Sequence, residues 1–148
     1  MKMSGRKQQN IKIEILHPVH KNKYGKLVIT RFDLESHEKE TLFRLVSYGF
    51  DIETVIPSHI PHTKNPDLVM LGTFWEMKCP VSVNEKTIST MFRKAVKQSG
   101  GRIIFDLNRI HNDASKVEDY IIELFKTTHN MYRVMIIRKA NEILDITK

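Results

Sequence analysis

The stretch PDLVMLGTFWEMK, residues 66–78, sets Asp67, Glu76 and Lys78 into what otherwise reads as buried sheet. Side chains alternate along a strand, so Phe74, Glu76 and Lys78 share one face and Trp75 and Met77 the other. Trp75 and Met77 suit a core. Glu76 and Lys78 side by side do not, unless their face borders a cleft. Asp67 lies on the strand just before, and a turn at Gly72–Thr73 folds the two strands together. Two carboxylates and an ammonium can then converge. Two carboxylates with a main-chain carbonyl and waters make an oxygen-rich site suited to magnesium, with manganese or zinc as alternatives. Asp67 and Glu76 are the expected metal ligands. Such an ion polarises a phosphodiester and acidifies a water. Lys78 would orient that water or offset charge growing on the phosphate. Such a set fits metal-assisted phosphodiester cleavage. The competing reading is a solvated strand face, because Asp, Glu and Lys fall close together in many chains.

Two helices must hold this site. The first is expected over residues 35–48, closed by Gly49. Leu42, Leu45 and Val46 define its buried stripe. At about 100° per residue, Glu38 falls between Leu42 and Leu45, one turn earlier. Glu35 is near that stripe and Glu40 points away. An inward carboxylate is costly unless paired or metal-bound, which makes Glu38 a candidate catalytic residue. Alternatively it is a first-turn acid that complements the helix dipole. The second helix is expected over residues 84–99, with Ile88, Met91, Phe92, Ala95 and Val96 as its apolar stripe. Gly100 and Gly101 stop it. Its other face carries Lys86, Arg93, Lys94 and Lys97, which are either solvated or hold substrate phosphates. Gln98, at the stripe's edge, either reaches into the cleft or is merely exposed.

The remaining pattern is that of a mixed sheet. Strands are expected at 11–16, 26–32, 52–56, 67–71 and 74–78, and a continuous apolar strand at RIIFDL, residues 102–107. A third helix over 115–127 and strands in YRVMIIRK and EILDI complete the order ββαβββαβαββ. Residues 57–66, with three prolines, read as loop. The fold class is α/β (α+β), a mixed central sheet flanked by helices. The 148 residues suit a single domain, 1–148, with a basic, flexible arm over residues 1–10.

The chain carries 24 Lys and Arg against 17 Asp and Glu, a net charge of +7, which favours polyanions such as nucleic acid. No apolar run spans a membrane and no signal peptide is visible, so a cytoplasmic site of action is expected. One cysteine, Cys79, excludes an internal disulfide and reads as a packed residue at a strand end. The pairs His17/His20 and His59/His62 raise a histidine-based metal site as a rival. Neither spacing fixes both rings on one helix face, and loop or surface histidines are the simpler account. A non-catalytic nucleic-acid-binding module is a further alternative.

Pro-Asp followed by Glu-x-Lys on adjacent strands, after a Glu-bearing helix, resembles the PD-(D/E)xK nuclease superfamily. HEKETLFRLVSYGFDIETVIP, NPDLVMLGTFWEMKCP and KAVKQSGGRIIFDLNR together resemble the C-terminal tRNase toxin domain of CdiA-type contact-dependent growth-inhibition proteins. The closing RVMIIRKANEILDI is similar to that family's final strands. The resemblance implies a restriction-endonuclease-like core, a metal-dependent endonuclease acting on tRNA, and an acidic immunity protein as partner. It implies Glu38 as the helix glutamate, Asp67 and Glu76 as metal ligands, and Lys78 as catalytic lysine. Gln98, in the run Lys97-Gln98-Ser99, becomes a secondary catalytic candidate. Asp106 and Arg109 match a following segment of unassigned role. A DNA endonuclease of the same superfamily is the alternative, because a fold does not choose its substrate.

Overall fold

The computed structural model describes residues 10–16, 23–61 and 63–148. The expected arm, but for Asn10, lies outside these, as do His17, His20 and His62. The element order is the expected one. It runs β1 (Lys12–Leu16), β2 (Leu27–Val28), α1 (Ser36–Ser47), β3 (Ile52–Thr54), β4 (Leu68–Met70), β5 (Thr73–Lys78), α2 (Glu85–Ser99), β6 (Arg102–Asp106), α3 (Ala114–Thr127), β7 (Arg133–Ile137) and β8 (Ile143–Thr147). A 3-10 turn at Lys139–Asn141 joins the last two strands. Among the described residues all strands form one eight-stranded mixed sheet in the order β1-β8-β7-β6-β5-β4-β3-β2.

The centre, β5-β6-β7, is parallel, and its crossovers are α2 and α3. That explains the unbroken apolar run of β6: a central parallel strand is covered on both faces. Ile103 and Phe105 face a core built with Ile88, Phe92 and Ala95 of α2 and Val117, Ile121 and Phe125 of α3. Ile104 faces the other core, with Leu42 and Leu45 of α1, Trp75 and Met77. Phe92 of α2 and Phe105 of β6 stack with centroids 6.1 Å apart. The helix ends follow local chemistry. Asn84 Oδ1 accepts from the Thr87 amide at 3.1 Å to start α2. Gly100, at φ 69°, ends it in the left-handed region.

Several strands are shorter than the periodicity suggests. β2 keeps only Leu27 and Val28 of the expected 26–32, and Phe32 is 99% exposed. β3 ends at Thr54, two residues early. β4 excludes both expected end residues: Leu71 turns at φ 53° with Gly72 at φ 75°, and Asp67 lies just outside the ladder. β7 stops at Ile137, where the chain tightens into the 3-10 turn. Past Val28, Thr54 and Met70 apolar residues continue beyond the last ladder partner, so pattern alone overruns those strands.

Candidate active site

β4 and β5 form an antiparallel hairpin with Leu68 opposite Trp75 and Met70 opposite Thr73. Trp75 is fully buried in the α1-side core, and its indole N–H donates to the Met70 carbonyl at 2.9 Å. Alternation then sends Glu76 and Lys78 to the α2 side, as the sequence indicates. The parallel ladder with β6 agrees: Glu76 pairs with Ile103 and Lys78 with Phe105, both in the α2–α3 core.

Asp67 meets Glu76 across the hairpin, one step beyond the Leu68–Trp75 pair, with the Asp67 amide donating to the Trp75 carbonyl at 3.0 Å. The chain enters the hairpin there, so the Met77 amide finds no main-chain partner on β4. The Asp67 carboxylate supplies one: Oδ2 accepts from Met77 N–H at 2.8 Å. Glu76 is only 4% exposed. Burial, then a hydrogen bond with the Asp67 carboxyl and its charge, push the Glu76 carboxyl up to about 9; nearby Lys78 opposes this. Held protonated at neutral pH, Glu76 donates to Asp67.

Two carboxyl groups pressed together over one proton are a fitting donor set for a hard divalent cation, which would replace that proton. Asp67 and Glu76 are the residues that would hold it.

This pair makes stability depend on pH in a defined direction. The Glu76 carboxyl titrates higher in the fold than in the unfolded chain, so its contribution is whole below the unfolded value near 4.5. It is lost as pH rises towards about 9. With metal chelated, urea unfolding midpoints should fall across this window, by at most about 1.4 kcal/mol per pH unit from one proton. Glu76→Gln should flatten the trend; an unchanged slope would assign it to other groups.

Lys78 lines a cavity of about 460 Å³ with Lys86, Thr87, Thr90, Met91 and Lys94. Two of the four basic residues expected from α2, Lys86 and Lys94, therefore share a cavity with Lys78. Arg93 and Lys97 do not line it: both are exposed, and Lys97 borders a separate hollow with Lys64 and Tyr132. Gln98 continues the Thr87–Met91–Lys94 stripe by one turn. It does not reach the carboxyls by any described bond. Its Oε1 accepts from the Asn65 amide at 2.9 Å, tying α2 to the loop two residues before Asp67. Gln98 thus braces the Pro-Asp entry.

Glu38 is half-buried, and its Oε1 accepts from the Glu35 amide at 3.0 Å, closing the helix start. Glu35, His37 and Glu38 offer ligand atoms within 4.8 Å of one another. Glu38 also acts electrostatically on Arg31, which in turn lies 3.9 Å from Asp67. It therefore stands at the rim of the site while serving its own helix.

Sequence reasoning passed over Arg31 and left Asp106 without a role. Arg31 lies in a segment read as strand, where an exposed cation draws no attention. Asp106 ends an apolar strand, and its partners come from distant residues: Thr41 Oγ1 and Arg44 Nη1 each donate to Oδ2 at 2.5 Å. The inward polar face of α1, with Thr41 one turn and Arg44 nearly two turns beyond Glu38, is the signal that pairs with it. Cys79, beside Thr41, has its thiol pushed up to about 11 by burial, in keeping with a packed residue. His59 is exposed.

A family model described as "Contact-dependent growth inhibition CdiA C-terminal domain" matches residues 64–143, more than half of the chain. Among solved structures, a chain of the CdiA-CT/CdiI toxin and immunity complex from Burkholderia pseudomallei is similar, with TM-score 0.65 and 20% identity. The similarity covers 84% of this chain and 100% of that one, and at this identity it speaks for the fold. No curated protein matches. Among the described residues, no helix is long and apolar enough to cross a membrane.

Proposed function

The chain belongs to the CdiA C-terminal domain family of contact-dependent growth inhibition, and from that premise we propose that it is a metal-dependent nuclease of the PD-(D/E)xK type, a toxin that cleaves tRNA in the cytoplasm of a target cell. One observation carries the reading: Asp67, fixed by the Met77 amide, stands beside buried Glu76 on the strand face that also presents Lys78. A divalent ion bound by that pair, magnesium in the first instance, supplies the charge that polarises a phosphodiester and acidifies a water. The chain's own groups do the rest. Asp67 is fixed by the Met77 amide, so one oxygen has a set direction. Lys78 stands two residues along from Glu76, at the mouth of the lysine cavity, where its ammonium can orient water or offset charge developing on the phosphate. Lys86 and Lys94, with the hydroxyls of Thr87 and Thr90, offer donors to neighbouring phosphate oxygens. Those contacts place a strand without reading its bases, which leaves RNA and duplex DNA to be separated by experiment.

The basic surface also suits a small acidic protein that covers the cleft, the immunity partner of this reading. The deciding assay is incubation of the protein with total tRNA and with duplex DNA, in magnesium and in EDTA. Cleavage of tRNA only with metal is expected. Failure to cut either polymer across magnesium, manganese and zinc would overturn the proposal, and cleavage confined to duplex DNA would replace the substrate.

A further inference from the structure

Arg31 enters the site from a segment that β2 leaves short. Thr30, just before it, is pinned to β3: its amide donates to Thr54 Oγ1 at 2.7 Å, and its hydroxyl donates to the Thr54 carbonyl at 2.6 Å. Arg31 is thereby delivered to the end of the sheet where β4 begins. Its Nε and Nη2 fork onto Asp33, each at 2.7 Å. The remaining terminal nitrogen, Nη1, lies 3.9 Å from Asp67 Oδ1. The Arg31 side chain is 16% exposed, against 65% for Asp33. A guanidinium that needed only Asp33 would sit with it in solvent. This one is drawn inward, towards Asp67 and within electrostatic reach of Glu38.

We propose that Arg31 is a phosphate-contacting residue of the nuclease site, an inference that rests on the function proposed above. Before a divalent ion binds, Nη1 compensates the outer oxygen of Asp67. With the ion in place, that compensation is redundant and mutually repulsive, and Nη1 turns to an oxygen of the phosphodiester. Asp33, itself exposed, holds the other two nitrogens and moves with the planar guanidinium, so Nη1 is re-aimed by a shift of the pair. Cations then flank the carboxyl pair: the lysine cavity on the α2 side, and Arg31 on the side of α1. A guanidinium suits this role, since its fixed fork serves two anions at once where an ammonium serves as a point charge.

The test uses Arg31→Ala and Arg31→Lys, each checked for a native unfolding transition. Calorimetric titration of the protein alone with Mg2+ comes first. Removing a competing cation should tighten Mg2+ binding about fivefold in Arg31→Ala, and Arg31→Lys should stay near wild type. Single-turnover cleavage of tRNA at saturating Mg2+ follows. Arg31→Ala should be slower by about 100-fold, with part of the rate returned by guanidinium added to the medium. A merely structural arginine would show no such rescue. Folded Arg31→Ala that binds Mg2+ no more tightly than wild type, or that cleaves within twofold of its rate, overturns the proposal. If wild type binds Mg2+ yet cleaves no nucleic acid, the nuclease reading falls, and the Mg2+ comparison alone then judges Arg31.

Discussion

Glu76→Gln and Lys78→Ala should each slow tRNA cleavage by about 1,000-fold or more, while neither lowers the melting temperature measured in EDTA. Glu76→Gln should raise it at neutral pH. The reason lies in what Glu76 does without metal. It is 4% exposed and held protonated beside Asp67, so at pH 7 folding must hold a proton that the unfolded chain releases. A glutamine amide has the same shape and still donates to Asp67, but has no proton to lose. It also cannot supply an anionic ligand, so chemistry fails while the fold gains. Lys78→Ala removes an ammonium from the mouth of an open cavity and leaves the ladder with β6 intact. Activity loss joined to unchanged or higher stability is the signature of a site. A Glu76→Gln protein that melts well below wild type would instead make Glu76 a structural group.

Asp106→Ala should do the reverse. Asp106 is 1% exposed. It accepts four bonds: from Thr41 Oγ1 and Arg44 Nη1, each at 2.5 Å, and from the Asn108 amide and Nδ2 at 2.9 and 2.7 Å. Removing it leaves a partly buried guanidinium and three polar donors without this acceptor. Breaking a buried pair on one side costs about 3 kcal/mol, which for a chain of this size is about 10 °C in melting temperature. Arg44 keeps a second carboxylate, Glu40 at 3.7 Å, which limits the loss. Below the melting range, cleavage per folded molecule should stay within about threefold of wild type, because no described bond ties Asp106 to the carboxyl pair. Thermal unfolding followed by circular dichroism, with single-turnover rates at low temperature, separates the two quantities. A 100-fold rate loss in stable, folded Asp106→Ala would place this cluster in the active site.

The contrast between Glu76 and Asp106 marks how far the sequence could be read. Glu76 was legible because a strand alternates: a Glu and a Lys two apart, against a Trp and a Met, fix a polar face on a buried strand. The absence of alternation in RIIFDL likewise marked β6 as covered on both faces. Asp106 ends that strand in an unbroken apolar context, and only the crossing of α1 over the sheet supplies its partners. Arg31 was hidden for a similar reason. Its meaning comes from Asp67, which is far along the chain and near in space. For Gln98 the sequence leaves open a reach into the cleft or simple exposure; its partner is the Asn65 amide, a group no side-chain pattern reveals. The helices were found almost to the residue, since their stripes and glycine stops are local. Strand ends were overrun, since a ladder ends where its neighbour ends.

Cys79 has a practical consequence for anyone who would watch this molecule work. It is the chain's single thiol, packed beside Thr41 and pushed up to about 11. At neutral pH about one molecule in ten thousand carries it as thiolate, the form that alkylating reagents attack. A cysteine introduced on the exposed face of α3, at Asp119 for instance, would react far sooner. The wild-type background is therefore ready for a single fluorophore or spin label, with no need to disturb the residue packed against α1.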